Sequence, residues 1–211
     1  MSVTDVRVAL TAAAVITRLM GMVRWEPGAR ERLQAAAMDL YISRGFEKTT
    51  AADIAQAVGL TERTFFRHFA DKREVLFGGQ ELLEQAFLDG VAAAPQGAAP
   101  LDVMASALAS GAAFFPVERR AHSRRRQRII SENPALQERE LLKMASLAVA
   151  VAAALRARGV PGSTATLAAE SGLTVFSVAF GKWIAEGEER PFLDIQHEVL
   201  GELVAMTAGA V

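Results

Sequence analysis

The chain contains no cysteine, which removes disulfides, thiolate nucleophiles and Cys-based zinc sites from consideration. Histidine is almost as scarce. His68, His122 and His197 are scattered along the sequence, so no metal site and no cofactor are expected. Bulk charge is missing too: 23 Lys and Arg stand against 24 Asp and Glu, a formal net charge of −1, so any binding of nucleic acid has to come from local placement of basic residues. Apolar runs without charge are short. Residues 8–17, between Arg7 and Arg18, and residues 145–155, before Arg156, cannot span a bilayer as helices, and no membrane partner is expected. Asp5 spoils the basic start that a secretory leader needs, and no small-residue cleavage site follows. Residues 1–21 therefore read as a short extension helix, or as sequence upstream of a true start at Met22, and a reducing, cytoplasmic setting is expected. Catalytic signatures are absent as well: no Gly-rich phosphate loop follows a strand, no Ser-His-Asp arrangement is arguable, and the carboxylates are scattered. An enzyme is not expected.

What is present is apolar and helical. Hydrophobic residues make up 51% of 211 positions, enough to fill a sizeable core. Gly and Pro cluster at Pro27-Gly28, Gly45, Gly59, Gly78-Gly79, Pro95 to Pro100, Pro134, Gly159 to Gly162 and Gly187 to Pro191, and Ala, Leu, Glu and Arg fill the segments between them. Strand-like alternation is nowhere sustained, so the expected fold is all-α. The first helix opens at Pro27 and carries Leu33, Ala36, Ala37, Leu40 and Tyr41 on one face as far as Gly45, with Phe46 folding back onto it. Thr50 and Asp53 have the spacing of a capping box for a second short helix buried through Ile54, Ala55 and Val58. Gly59 suits a sharp turn of positive φ, Leu60 plugs the corner, and Thr61 caps a third helix over Glu62 to Phe69. Asp71 and Glu74 suggest a further capping box, opening a fourth helix that begins at Lys72.

Two short capped helices across a Gly-containing turn, the second with Arg63, Thr64, Arg67 and His68 outward, fit a helix-turn-helix that enters the major groove. Arg pairs with guanine edges or phosphates, Thr hydroxyls suit phosphates, the Phe66 ring suits a thymine methyl or a sugar, and Lys72 is placed to clamp a phosphate. A plain helical hairpin with solvated charges fits the pattern as well. Resemblance separates the two readings. The run Thr49 to Lys72, TTAADIAQAVGLTERTFFRHFADK, closely resembles the DNA-binding segment of the TetR family of transcriptional regulators, and the likeness extends over about Pro27 to Phe87. The resemblance implies DNA contact at Thr50, Thr61, Arg63, Thr64, Phe66, His68 and Lys72, with Glu62 and Arg67 beside them. Many members carry Tyr where this chain has Phe66, so ring contact is kept and one hydroxyl is lost.

The resemblance further implies an N-terminal three-helix DNA-binding domain over residues 27–87, with the helix-turn-helix at 50–69, after an extension over 1–26. A larger helical ligand-binding and dimerisation domain follows over 88–211. The expected partners are double-stranded operator DNA, a small hydrophobic effector and a second copy of the chain as homodimer, and the expected activity is repression of a palindromic operator, relieved by the effector. Met104, Phe114, Phe115, Met144, Leu147 and Trp183 are candidate pocket residues, although aromatic and Met side chains at helical spacing also serve any bundle core. The segment from Ser163 to Ala185 is apolar almost all round and must be buried on two sides. Its small-residue face, Gly172, Val175 and Ala179, together with Val199 and Leu203 on the last helix, is the expected dimer contact. The run Arg119, Arg120, Arg124, Arg125, Arg126 and Arg128 reads as a solvated face whose stems cover apolar surface, with a second anion or nucleic-acid patch as the alternative.

Overall fold

The computed structural model describes residues 28–208, and every regular element among them is helical. The expectations for residues 1–26 and for a helix start at Pro27 lie outside the described residues. Helix α1 (Ala29–Arg44) buries Leu33, Ala37, Met38 and Tyr41 and stops at Gly45, whose φ of 85° a side chain would resist. Phe46 then turns back, its ring 5.2 Å from that of Tyr41 in an edge-on pair. Helices α2 (Ala51–Ala57) and α3 (Glu62–His68) follow, then a single 3-10 turn, Glu74–Phe77. The remaining helices are α4 (Gln80–Ala93), α5 (Pro100–Ala112), α6 (Arg120–Ser131), α7 (Pro134–Ala157), α8 (Gly162–Trp183) and α9 (Phe192–Ala208), with a second 3-10 turn at Val117–Arg119 leading into α6. Among the described residues no single helix is long and apolar enough to cross a membrane.

Two apolar cores result. The larger joins α4, α5, α7, α8 and α9 around Phe87, Met104, Leu108, Val151, Phe176 and Trp183. Close approach of α4 and α5 depends on Gly90: a Cβ there would lie 2.6 Å from both the Ala107 Cα and the Ser106 carbonyl oxygen. The smaller core holds α1, α2, α3 and the first 3-10 turn together, and it also takes in Ile129, Ile130 and Leu136 from α6 and α7. Residues far along the chain thus complete the N-terminal core.

The helix that opens at Lys72, which the resemblance extends to about Leu88 as the connection to the second domain, is not continuous. Only four residues wind as 3-10 helix before Gly78 leaves helical geometry (ψ 134°) and Gly79 adopts φ 93°. The reciprocal box expected from Asp71 and Glu74 is also half present. The Asp71 Oδ1 accepts from the backbone N–H groups of Arg73 (2.7 Å) and Glu74 (3.1 Å). Glu74 turns away to pair with Arg139 (2.5 Å) and Lys143 (3.1 Å) on α7, because two cations there outcompete one backbone N–H.

Candidate nucleic-acid interface

The helix-turn-helix is built by local chemistry. Asp53 N–H donates to the Thr50 hydroxyl (3.1 Å) and Thr50 N–H donates to the Asp53 carboxylate (2.9 Å), so both ends of the capping box close. The Asp53 carboxyl lies below its usual range because of hydrogen bonds from the Thr50 side chain and backbone. Gly59 turns with φ 70°, and Leu60 N–H reaches back to Ala55 carbonyl at 2.9 Å. Thr61 caps α3 by accepting from Thr64 N–H (3.2 Å), and the two hydroxyls lie 3.0 Å apart. Position along α3 then sorts the aromatics. Phe65 and Phe69 are buried against α1, whereas Phe66 is 51% exposed and stands edge-on to Phe65.

Glu62, Arg63, Phe66 and Arg67 form the exposed side of α3, and among the described residues neither the Arg63 nor the Arg67 guanidinium has a protein acceptor. Thr50 is exposed at the start of α2, and Thr64 is half-buried. His68 belongs to this surface only in part, because its Nε2 is buried without a protein partner and its ring leans on Phe69. Lys72 is engaged within the chain. Its ammonium donates to the carbonyls of Phe46 (2.9 Å), Thr49 (3.1 Å) and Glu47 (3.4 Å) and lies 4.2 Å from the centre of the Phe46 ring. With its donors directed at the α1–α2 connection, Lys72 ties this corner together in the DNA-free chain. Tyr41 reinforces this corner: its hydroxyl donates to the Lys72 carbonyl at 2.6 Å, and burial, with the charge of Asp71, pushes its ionisation well above the usual range.

Behind the helix-turn-helix lies a cavity of about 910 Å³, within the size range of small-molecule sites. Phe114, Phe115, Met144 and Leu147 line it as expected. Met104 and Trp183 do not: both are fully buried core, Met104 packed over Gly172. Sequence reasoning missed Arg30 and Gln34 of α1, Arg126 of α6, Lys143 of α7 and Phe176 and Phe180 of α8, all of which line the cavity. No short-range pattern marks them, since they converge from four helices.

The expected dimer face also needs correction. Gly172, Val175 and Ala179 are buried inside this chain, as is Val199, and Leu203 is partly buried against the same core. α8 presents instead Leu167 (69% exposed), Thr174 and Val178 (44%), while α9 presents Gly201, Val204 (45%) and Met206. α8 packs within this chain on α5, α7 and α9, and Gly172 lets Met104 of α5 sit directly against it.

The arginine run is a solvated face only in part: Arg119, Arg124, Arg125 and Arg128 are exposed, while Arg120 is buried and Arg126 half-buried. Arg120 donates to the carbonyls of Glu188 and Arg190, and Arg124 to those of Ile184 (2.7 Å) and Ala185 (2.8 Å), tying down the segment between α8 and α9. Arg125 reaches Asp39 on α1 (2.7 Å), and Arg126 reaches the Leu76 carbonyl (2.7 Å) and Glu140 (3.0 Å).

Residues 33–77 match the family model described as bacterial regulatory proteins, tetR family, and residues 98–208 match that of the MftR C-terminal domain. The chain belongs to the TetR family. TcmR of Streptomyces glaucescens, an HTH-type transcriptional regulator, is 41% identical over 78 residues, 37% of this chain and 34% of that protein. MftR of Mycobacterium tuberculosis (strain ATCC 25618 / H37Rv), a provisionally assigned regulator of mycofactocin biosynthesis, is 33% identical over 104 residues, 48% of this chain and 50% of that protein. The matches thus span a third to a half of these curated relatives. FadR of Thermus thermophilus, a TetR-family repressor solved in complex with lauroyl-CoA, shares the fold with a TM-score of 0.51 at 23% identity, covering 83% of this chain and 93% of that one. The protein is therefore a TetR-family DNA-binding transcriptional regulator, and this family is one of regulators and not of enzymes.

Proposed function

We propose that the protein is a cytoplasmic repressor that holds a palindromic operator as a homodimer and releases it when a small hydrophobic effector fills the cavity. The DNA-binding domain runs from α1 through the first 3-10 turn, and the effector and dimerisation domain begins with α4, earlier than the 87/88 boundary that the resemblance implies, because Phe87 packs in the larger core. Arg63, Phe66 and Arg67 read base edges and sugars, with Glu62 and Thr64 beside them, and Thr50 and Thr61 lie at the helix starts that face phosphate. The dimer forms through the exposed stripe of Leu167, Thr174 and Val178 on α8 against Val204 and Gly201 on α9.

One observation carries this reading: the cavity wall is shared between the DNA-reading unit, through α1 and the first 3-10 turn, and the C-terminal helices α4, α6, α7 and α8. A ligand filling it contacts both, and so has different affinities for the DNA-bound and the free arrangement, which is what release requires. That FadR of the same fold was solved with lauroyl-CoA supports an extended hydrophobic effector. The test is a gel shift with duplex DNA that the protein selects from a random pool, alongside its own upstream region, with sedimentation of the free protein. A two-fold symmetric selected site and a dimer are the expected results. An asymmetric site, or a monomer that binds as tightly, refutes the proposal.

A further inference from the structure

The cavity wall is both apolar and cationic. Phe114, Phe115, Met144, Leu147, Phe176 and Phe180 give it an apolar and largely aromatic lining. The lining cations Arg30, Arg119, Arg125, Arg126 and Lys143 outnumber the lining carboxylates Glu31, Asp39 and Glu140, and Arg119 lies 4.7 Å from the centre of the Phe114 ring. Leu82 on α4 and Leu141 on α7 line the cavity while remaining strongly exposed, which places apolar lips at its mouth.

Arg126 is the centre of the cationic lining. Its side chain is only 22% exposed and lies 5.0 Å from the centre of the Phe77 ring. Nε donates to the Leu76 carbonyl and Nη1 to Glu140, which leaves Nη2 without a protein acceptor among the described residues. Lys143 stands by the same ring, 5.7 Å from its centre, paired with Glu74. Each of these two partly desolvated cations already has a carboxylate partner, and the open Nη2 edge of Arg126 remains for a further anionic acceptor.

We infer that this wall, centred on Arg126 with Lys143 and Arg119, seats the headgroup of an amphipathic anion, a carboxylate or phosphate on an apolar chain, and that the headgroup draws Arg126 and Arg125 away from Leu76 and Asp39. The second half rests on the regulatory reading above; the headgroup site does not. An anionic oxygen is a stronger acceptor for guanidinium than the neutral Leu76 carbonyl, and it competes with Asp39 for Arg125 on equal terms. Leu76 lies in the turn that follows the helix-turn-helix, and Asp39 lies on α1. Loss of both contacts loosens α6 against the DNA-reading unit, which Ile129 and Ile130 continue to hold through the smaller core. His122 shares the wall, and burial followed by the charges of Arg119, Arg126 and Arg125 holds its imidazole below its usual range.

Calorimetry on the full chain with dodecanoate, dodecyl phosphate and 1-dodecanol tests the site. At least one of the two anions binds tenfold or more tighter than the alcohol, and the tighter anion identifies the headgroup. In Arg126→Gln that advantage falls to threefold or less while thermal unfolding stays cooperative; if this variant does not fold, Lys143→Gln and Arg119→Gln are read for the same loss. No heat with either anion, equal affinity for alcohol and anions, or an advantage that survives these substitutions overturns the headgroup site. Fluorescence anisotropy on DNA selected from a random pool tests the release. The tighter anion weakens DNA binding fivefold or more, 1-dodecanol does not, and Arg125→Gln weakens it without ligand. An anion that binds but leaves DNA affinity unchanged overturns the loosening step alone. A protein that selects no DNA refutes the regulatory reading, while the calorimetric result for the headgroup site still stands.

Discussion

Replacing Phe65 and, separately, Phe66 with alanine perturbs two neighbouring rings that the fold assigns to opposite tasks. Phe65 is fully buried among α1, α2 and α3, and removing such a ring costs about 3–5 kcal/mol through lost burial and the cavity left behind. Phe66 is 51% exposed. Its burial contributes roughly half of the 1.5–3 kcal/mol available to a fully buried side chain, and its edge-on pair with Phe65 adds about 0.5–1.5 kcal/mol. Phe66→Ala therefore costs about 1–3 kcal/mol of stability, and Phe65→Ala about 2 kcal/mol more between the midpoints of the two ranges. DNA affinity sorts the other way. Phe66→Ala loses one base-directed contact per half-site, about 1–3 kcal/mol, whereas any Phe65→Ala protein that remains folded keeps its exposed α3 side chains. Urea unfolding followed by circular dichroism reads the first quantity, and fluorescence anisotropy on a selected DNA site reads the second. Equal losses of stability in the two variants, or undiminished DNA affinity in Phe66→Ala, would refute the assignment of these rings.

Arg63→Ala should weaken DNA binding by about 1–3 kcal/mol and relax sequence preference. Lys72→Met, which strands the carbonyls of Phe46, Glu47 and Thr49, should instead lower unfolding stability by about 1–3 kcal/mol, and an altered salt slope of DNA binding with unchanged stability would count against that structural role. Val178→Asp on the exposed stripe should yield folded monomers in analytical ultracentrifugation, whereas Gly172→Arg, driven into Met104, should give loss of cooperative unfolding; a dimeric Val178→Asp would exclude this stripe from the interface. Burial pushes the Glu74 carboxyl up, but hydrogen bonds and charge from Arg139 and Lys143 outweigh it and hold it below the usual range. Its contribution to stability is then complete above the unfolded value of about 4.3 and is lost as pH falls through the lower native value. Glu74→Gln should accordingly flatten the acid limb of stability against pH, and an unchanged acid limb would show that this pair contributes nothing.

The sequence alone determined what depends on residues within about one helical turn. The Thr50 and Asp53 box, the turn at Gly59, the Thr61 cap, the inward Phe65 and outward Arg63 all follow from spacing, because caps and helix faces are interactions between i and i+3 or i+4. The all-α fold and the family resemblance rest on the same local signals. Wherever the decisive partner lies far along the chain, tertiary structure decided. Lys72 has the same chemistry whether it faces phosphate or the Phe46 carbonyl 26 residues away. Arg125 shows no sign in its own neighbourhood of an acceptor 86 residues distant. The two apolar faces of α8 differ too little for periodicity to tell which one α5 would cover. Hydrophobic pattern and capping specify which stretches wind into helices and which side is apolar, but that side packs on whatever surface the rest of the chain brings to it. The cavity, its cationic wall and the face left open on α8 are properties of that arrangement.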